Sequence, residues 1–195
     1  MTFAPESTAL VLVEFQRQWT DPGLYRWMIS RQLDGRSVIA ATAGLVREAR
    51  AVGVTIVHAP LVIDPQRKRG WLARVTFGRV FRLGSDKALL TDGLHEPADL
   101  VVTGRYAFDA FKGSDLEALL NSRGIESVLV AGFTTDQCVA KTAKTADKLG
   151  FTTYLLTDCT ASMTRMHQRS VERKFGDRAL SNDETRALLG AGSHA

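Results

Sequence analysis

At 195 residues the chain has the length of one domain. Its 45% hydrophobic and 24% charged content, with 16 Gly and 5 Pro, excludes a disordered, collagen-like or low-complexity protein. Two cysteines, Cys138 and Cys159, make neither a disulfide framework nor a four-ligand zinc site. The net charge of +4 is local: residues 66–87 hold seven basic groups against one acid, and the other 173 residues hold 18 basic against 20 acidic. No apolar run approaches the ~18 residues of a membrane span. The opening residues lack a basic, cleavable leader pattern. These features predict a cytoplasmic protein without membrane contact.

Strands and helices alternate along the chain. Ala9–Val13 is a continuous apolar run, as in a strand covered on both faces. After an irregular stretch, Val38, Ala41, Leu45, Val46 and Ala49 recur at helical spacing. Val54–Val57 predicts a second strand and Leu100–Val102 a third. Ser114-Asp-Leu-Glu117 reads as a capping box opening a helix that closes near Gly124. Val128–Ala131 is a fourth strand, 137–149 a helix, Phe151–Leu156 a fifth strand and 165–175 a helix. A last helix starts with Asn182 as its cap. The pattern predicts an α/β fold: a three-layer α/β/α, Rossmann-like domain over 1–195 with a mainly parallel central sheet of about six strands. An irregular basic insertion or lid occupies about 62–90.

In open α/β sheets, sites form beyond the carboxyl ends of the strands. Strand one ends at Glu14-Phe15-Gln16, strand three runs into Gly104-Arg105, and strand four runs into Gly132–Cys138. Cys138 falls at the start of a helix, where the dipole favours thiolate, and a nearby guanidinium favours it further. A thiol, an acid and a cation on three converging strand ends make a candidate nucleophilic site. Each also has an ordinary structural use: a small buried hydrophobe, a strand-end carboxylate and its ionic partner.

Four segments carry a resemblance: Ala9–Gln16, Gly104–Phe111 with Gly113–Leu116, Gly132–Val139 and Leu156–Ala161. Together with Val54–Pro60 they resemble, in order, the motifs of the isochorismatase-like cysteine hydrolases, which include nicotinamidases and N-carbamoylsarcosine amidohydrolases. The resemblance implies Cys138 as nucleophile and Glu14 as general base and then acid. It also implies an oxyanion hole of the Thr134 and Cys138 backbone N–H groups, and a cis Phe133–Thr134 peptide. Glu14 matches a branch with Glu where many members have Asp, and its extra methylene requires the backbone to compensate. Arg105 stands where the family has lysine; it keeps the charge but cannot release a proton. Gln16, Trp19, Phe108 and Phe133 are candidates for the substrate pocket, and Tyr25, Trp27 and Trp71 for pocket or interface.

Nicotinamidases of the family carry an Asp-x-His metal motif with a second His, and this sequence has none. His58, His95, His167 and His194 are scattered, so no metal and no cofactor are expected, and His58 reads as structural. Cys159, beside Asp158, reads as a buried structural residue. The expected activity is cysteine-dependent hydrolysis of a small-molecule amide or ureido C–N bond through a thioester. The alternatives are a catalytically weak fold member acting as a binding or assembly partner, and an isochorismate-type vinyl ether hydrolase. RNA binding by residues 66–87 is disfavoured because no aromatic-interleaved motif accompanies the charge. The resemblance implies a homo-oligomer, dimer or tetramer.

Overall fold

The computed structural model describes residues 2–64, 66 and 79–190. Arg67, Lys68, Arg69, Trp71 and Arg74 lie outside these, so much of the expected lid does too. Six parallel strands form one sheet: β1 (Thr8–Val13), β2 (Thr55–Ala59), β3 (Leu100–Val101), β4 (Ser127–Phe133), β5 (Thr152–Ala161) and β6 (Ala179–Leu180). Their order is β3-β2-β1-β4-β5-β6. The direction of winding reverses between β1 and β4, which pair in register from Thr8–Ser127 to Val13–Gly132. That reversal opens the crevice in which doubly wound sheets hold their ligands.

Alternation along the strands loads both faces. Leu10, Leu12, Leu129 and Ala131 point to one side, with Val38, Leu45, Val46 and Ala49 of helix α3 (Val38–Ala51). Helices α1 (Arg17–Thr20) and α2 (Leu24–Gly35) precede it; α2 adds Ile29 and Leu33. Ala9, Val11, Val13, Val128 and Val130 point to the other side. They meet α4 (Leu116–Ser122), α5 (Ala140–Lys148) and α6 (Arg165–Phe175) through Leu116, Leu120, Ala143, Ala146 and Val171. Helix α7 (Asn182–Gly190) completes the first layer with Leu189. Each fully buried Leu or Val contributes roughly 1.5–3 kcal/mol, which makes these two faces the main source of stability. Among the described residues, no helix is long and apolar enough to cross a membrane.

Two helix starts differ from expectation. Helix α4 has no capping box: the Ser114 hydroxyl donates to Ala110 O and accepts from Leu116 N at 3.3 Å, and the Asp115 carboxylate at the cap position accepts from the Thr103 backbone and hydroxyl. Asn182 does not cap α7. Its side chain accepts from Cys159 Sγ at 3.1 Å and donates to Ala41 O at 3.0 Å. The capping box there is Ser181 with Glu184: the Ser181 hydroxyl accepts from Glu184 N, and the Glu184 carboxylate accepts from Ser181 N at 2.7 Å. Burial pushes the Cys159 thiol up to about 12, so it stays a neutral packing residue.

His58, on β2, is fully buried. Its Nε2 donates to Asp99, which also accepts two bonds from Arg50, while Nδ1 has no hydrogen-bond partner. His95 stands against it at 5.1 Å between ring centroids. Burial lowers the His58 pKa below 6.5; its bond to Asp99 opposes this, and His95 and Arg50 add to it. Folding therefore favours the neutral ring. The stability this contributes is complete above pH 6.5 and is lost as pH falls through the lowered value. The urea midpoint of the wild-type protein is expected to fall between pH 7.5 and 5.5, and that of His58→Asn to fall less. An equal decline in both would contradict the assignment.

Candidate active site

Three strand ends supply the candidate site. Glu14 follows β1 with φ 57°, a left-handed conformation that costs a non-glycine residue about 1–3 kcal/mol. From this turn the carboxylate reaches the Trp19 indole and the Arg105 guanidinium. Opposite, Gly132 on β4 has φ 130°, and a Cβ there would lie 1.9 Å from Val13 O. Only glycine allows β4 to approach β1 this closely. The Phe133–Thr134 peptide is cis, and a π-helical turn, Thr135–Val139, then carries Cys138 into α5. Gly104, φ 81°, packs on the Gly113 carbonyl and turns the chain after β3 so that Arg105 points inward.

Glu14, Arg105 and Cys138 meet under cover, exposed by 1%, 2% and 4%. Arg105 Nη2 donates to Glu14 Oε1 at 2.6 Å and to Phe108 O at 2.7 Å. Its Nη1 donates to Ala59 O at 2.6 Å, and its Nε to Ala107 O at 2.9 Å. The guanidinium is thus held by four bonds. Glu14 Oε2 accepts from Trp19 Nε1 at 3.0 Å.

The Cys138 thiol is pushed well above its ordinary value. Burial is the main cause, and the charge of Glu14 and a hydrogen bond to it act the same way. The Arg105 charge and the Thr134 backbone N–H oppose this without overcoming it. The direction is opposite to the one that the start of a helix and a guanidinium alone would give, because desolvation beside a carboxylate favours the neutral thiol.

A cavity of about 240 Å³ lies over Cys138, with Glu14, Trp19, Phe108 and Thr134 in its walls. Two further pocket candidates lie elsewhere. Gln16 is fully buried and clamps the backbone, donating to Leu61 O and Ala88 O and accepting from Leu61 N. Phe133 stacks behind Phe15 and Trp19, outside the lining. Trp27 is 73% exposed. Five wall residues are not expected from the sequence: Leu24, Met28, Phe81, Gln137 and Met163. Met163 follows β5 and could have been sought there; Phe81 sits in a basic stretch that carries no periodic signal. A larger cavity, about 470 Å³, lies beside β3 on the far side of Arg105, but neither Glu14 nor Cys138 reaches it. Glu14 and Cys138 both line the smaller one.

The chain resembles known proteins over most of its length. The isochorismatase domain model matches residues 8–178, so the chain belongs to the isochorismatase family of hydrolases. It is 25% identical over 190 residues to a maleamate amidohydrolase of Pseudomonas putida, across 92% of this chain and 86% of that protein. It is 27% identical over 183 residues to the ureidoacrylate amidohydrolase RutB of Azorhizobium caulinodans, across 82% and 78%. In fold it resembles a cysteine hydrolase from Pseudomonas syringae, with TM-score 0.85, 16% identity and coverage of 98% of this chain and 96% of that one. N-carbamoylsarcosine amidase from Thermoplasma acidophilum follows the same fold, with TM-score 0.75, 21% identity and coverage of 91% and 98%.

Proposed function

We propose that the chain hydrolyses the C–N bond of a small-molecule amide or ureide through a thioester on Cys138. The observation that supports this most is the buried Arg105–Glu14 pair beside Cys138 at the wall of a cavity. Glu14 takes the thiol proton as sulfur attacks the carbonyl carbon. The oxyanion that forms is held by the Thr134 and Cys138 backbone N–H groups. Collapse breaks the C–N bond, and Glu14 passes its proton to the leaving nitrogen. Water then attacks the thioester, with Glu14 as base, to release the acid and restore the thiol.

Arg105 cannot release a proton, so every proton moves through Glu14. The guanidinium holds the carboxylate at Oε1 and the Trp19 indole N–H holds it at Oε2, which fixes its orientation beside Cys138. Arginine in place of the family's lysine therefore gives no support to a catalytically weak binding partner, since the ion pair is made and buried. The proposal includes the cytoplasmic setting, the homo-oligomer and the single domain with a basic lid expected from the sequence.

Ammonia release from a panel of primary amides and ureides tests the reading. We expect turnover of at least one, an amide giving acid and ammonia in equal amounts and a ureide giving amine, carbon dioxide and ammonia in equal amounts. Turnover of a vinyl ether but of no amide would overturn it.

A further inference from the structure

We propose that the cavity over Cys138 selects amides whose acyl group is uncharged and apolar, a single ring or a branched chain, and rejects those bearing a carboxylate. This rests on the amide hydrolase reading and narrows it to a substrate class.

The walls are rings and aliphatic chains. Trp19 and Tyr25 meet edge to face at 5.0 Å, and Tyr25 and Phe81 at 5.7 Å. Phe108 lines the cavity with them. Leu24 and Met163, 67% and 43% exposed, carry the apolar lining out to solvent. A volume of about 240 Å³ is below the roughly 300–1,000 Å³ of sites for drug-sized ligands, so a small amide fits.

The cations near these walls are already engaged, and the polar side chains Tyr25, Thr134 and Gln137 of the lining carry no charge. The Trp19 N–H is held by Glu14, leaving its ring to the cavity. The Arg105 guanidinium lies beneath the floor, bound to Glu14 and three carbonyls. Lys141 is outside the lining, bonded to Gln137 Oε1 and seated over the Phe108 ring at 4.7 Å. Among the described residues, no Lys, Arg or His lines the cavity. The Tyr25 phenol is held neutral by burial and by Glu14. A substrate carboxylate here would lose its water, find no cation among the described lining residues and face the Glu14 charge, a costly burial. A ring or branched chain would instead gain by leaving water.

The test uses two readouts. Benzamide and isobutyramide are compared with maleamate and succinamate, first as substrates of the wild-type protein, then as ligands of Cys138→Ala by ligand-detected NMR. Neutral amides are expected to lead by at least about tenfold in both kcat/KM and affinity. Tyr25→Leu is expected to lower kcat/KM for benzamide about fivefold, with acetamide changed less than twofold. Equal or better turnover or binding of the charged amides overturns the assignment. So does failure of both classes to bind Cys138→Ala at millimolar concentration. Selective binding of neutral amides without any turnover supports the cavity assignment and removes the hydrolase reading alone.

Discussion

Cys138→Ala is expected to lower kcat for amide hydrolysis by at least about ten-thousandfold while the protein stays folded. Sulfur forms the covalent bond in this scheme, so nothing else in the site substitutes for it. Glu14 could only activate water directly, and water lacks the thiol's intrinsic nucleophilicity. The fold tolerates the change because the side chain is small and borders an existing cavity. Ammonia release and the thermal midpoint, measured together, separate lost chemistry from lost structure. A variant that folds and keeps a tenth of the wild-type rate would remove Cys138 from the mechanism.

Arg105→Met is expected to cost about 3–5 kcal/mol of stability, because it strands a buried carboxylate. The Arg105 and Glu14 side chains are each 1% exposed, so little solvent screens the pair. The same change strips a donor from Ala59 O, Ala107 O and Phe108 O. For a chain of this length the thermal midpoint should drop by roughly 6–20 °C. Arg105→Lys keeps the charge but offers three donors where Arg uses four, so its loss should be smaller. Adding Glu14→Gln to Arg105→Met removes the stranded charge and should recover part of the stability. Strict additivity of the two changes would show that the pair is not coupled.

The fold was legible where burial is two-sided. Runs such as Ala9–Val13 and Val128–Ala131 have apolar residues at every position because helices cover both faces of the sheet. β6 was not legible, since two residues, Ala179–Leu180, carry no period. Nor were α1 and α2: the apolar residues Leu24 and Trp27 face outward, which blurs the helical stripe. In the site, Glu14, Arg105 and Cys138 are candidates from the sequence because each lies within five residues of the end of a strand. The state of the thiol could not, because desolvation depends on what other segments pack above it. Gln16 looked like a pocket residue for its place in a motif, yet its amide joins Leu61 to Ala88, two loops that meet only in three dimensions. Phe81 enters from a segment whose local sequence gives no reason to turn inward, at φ 48°.

The central claim is the covalent step at Cys138. An acyl p-nitroanilide, whose acylation outruns deacylation, is mixed with the wild-type protein, quenched in acid and digested for mass spectrometry. The account predicts the acyl mass on the peptide that contains Cys138, and no adduct with Cys138→Ala. An acyl group on another residue, or p-nitroaniline released at an undiminished rate by Cys138→Ala, would contradict it.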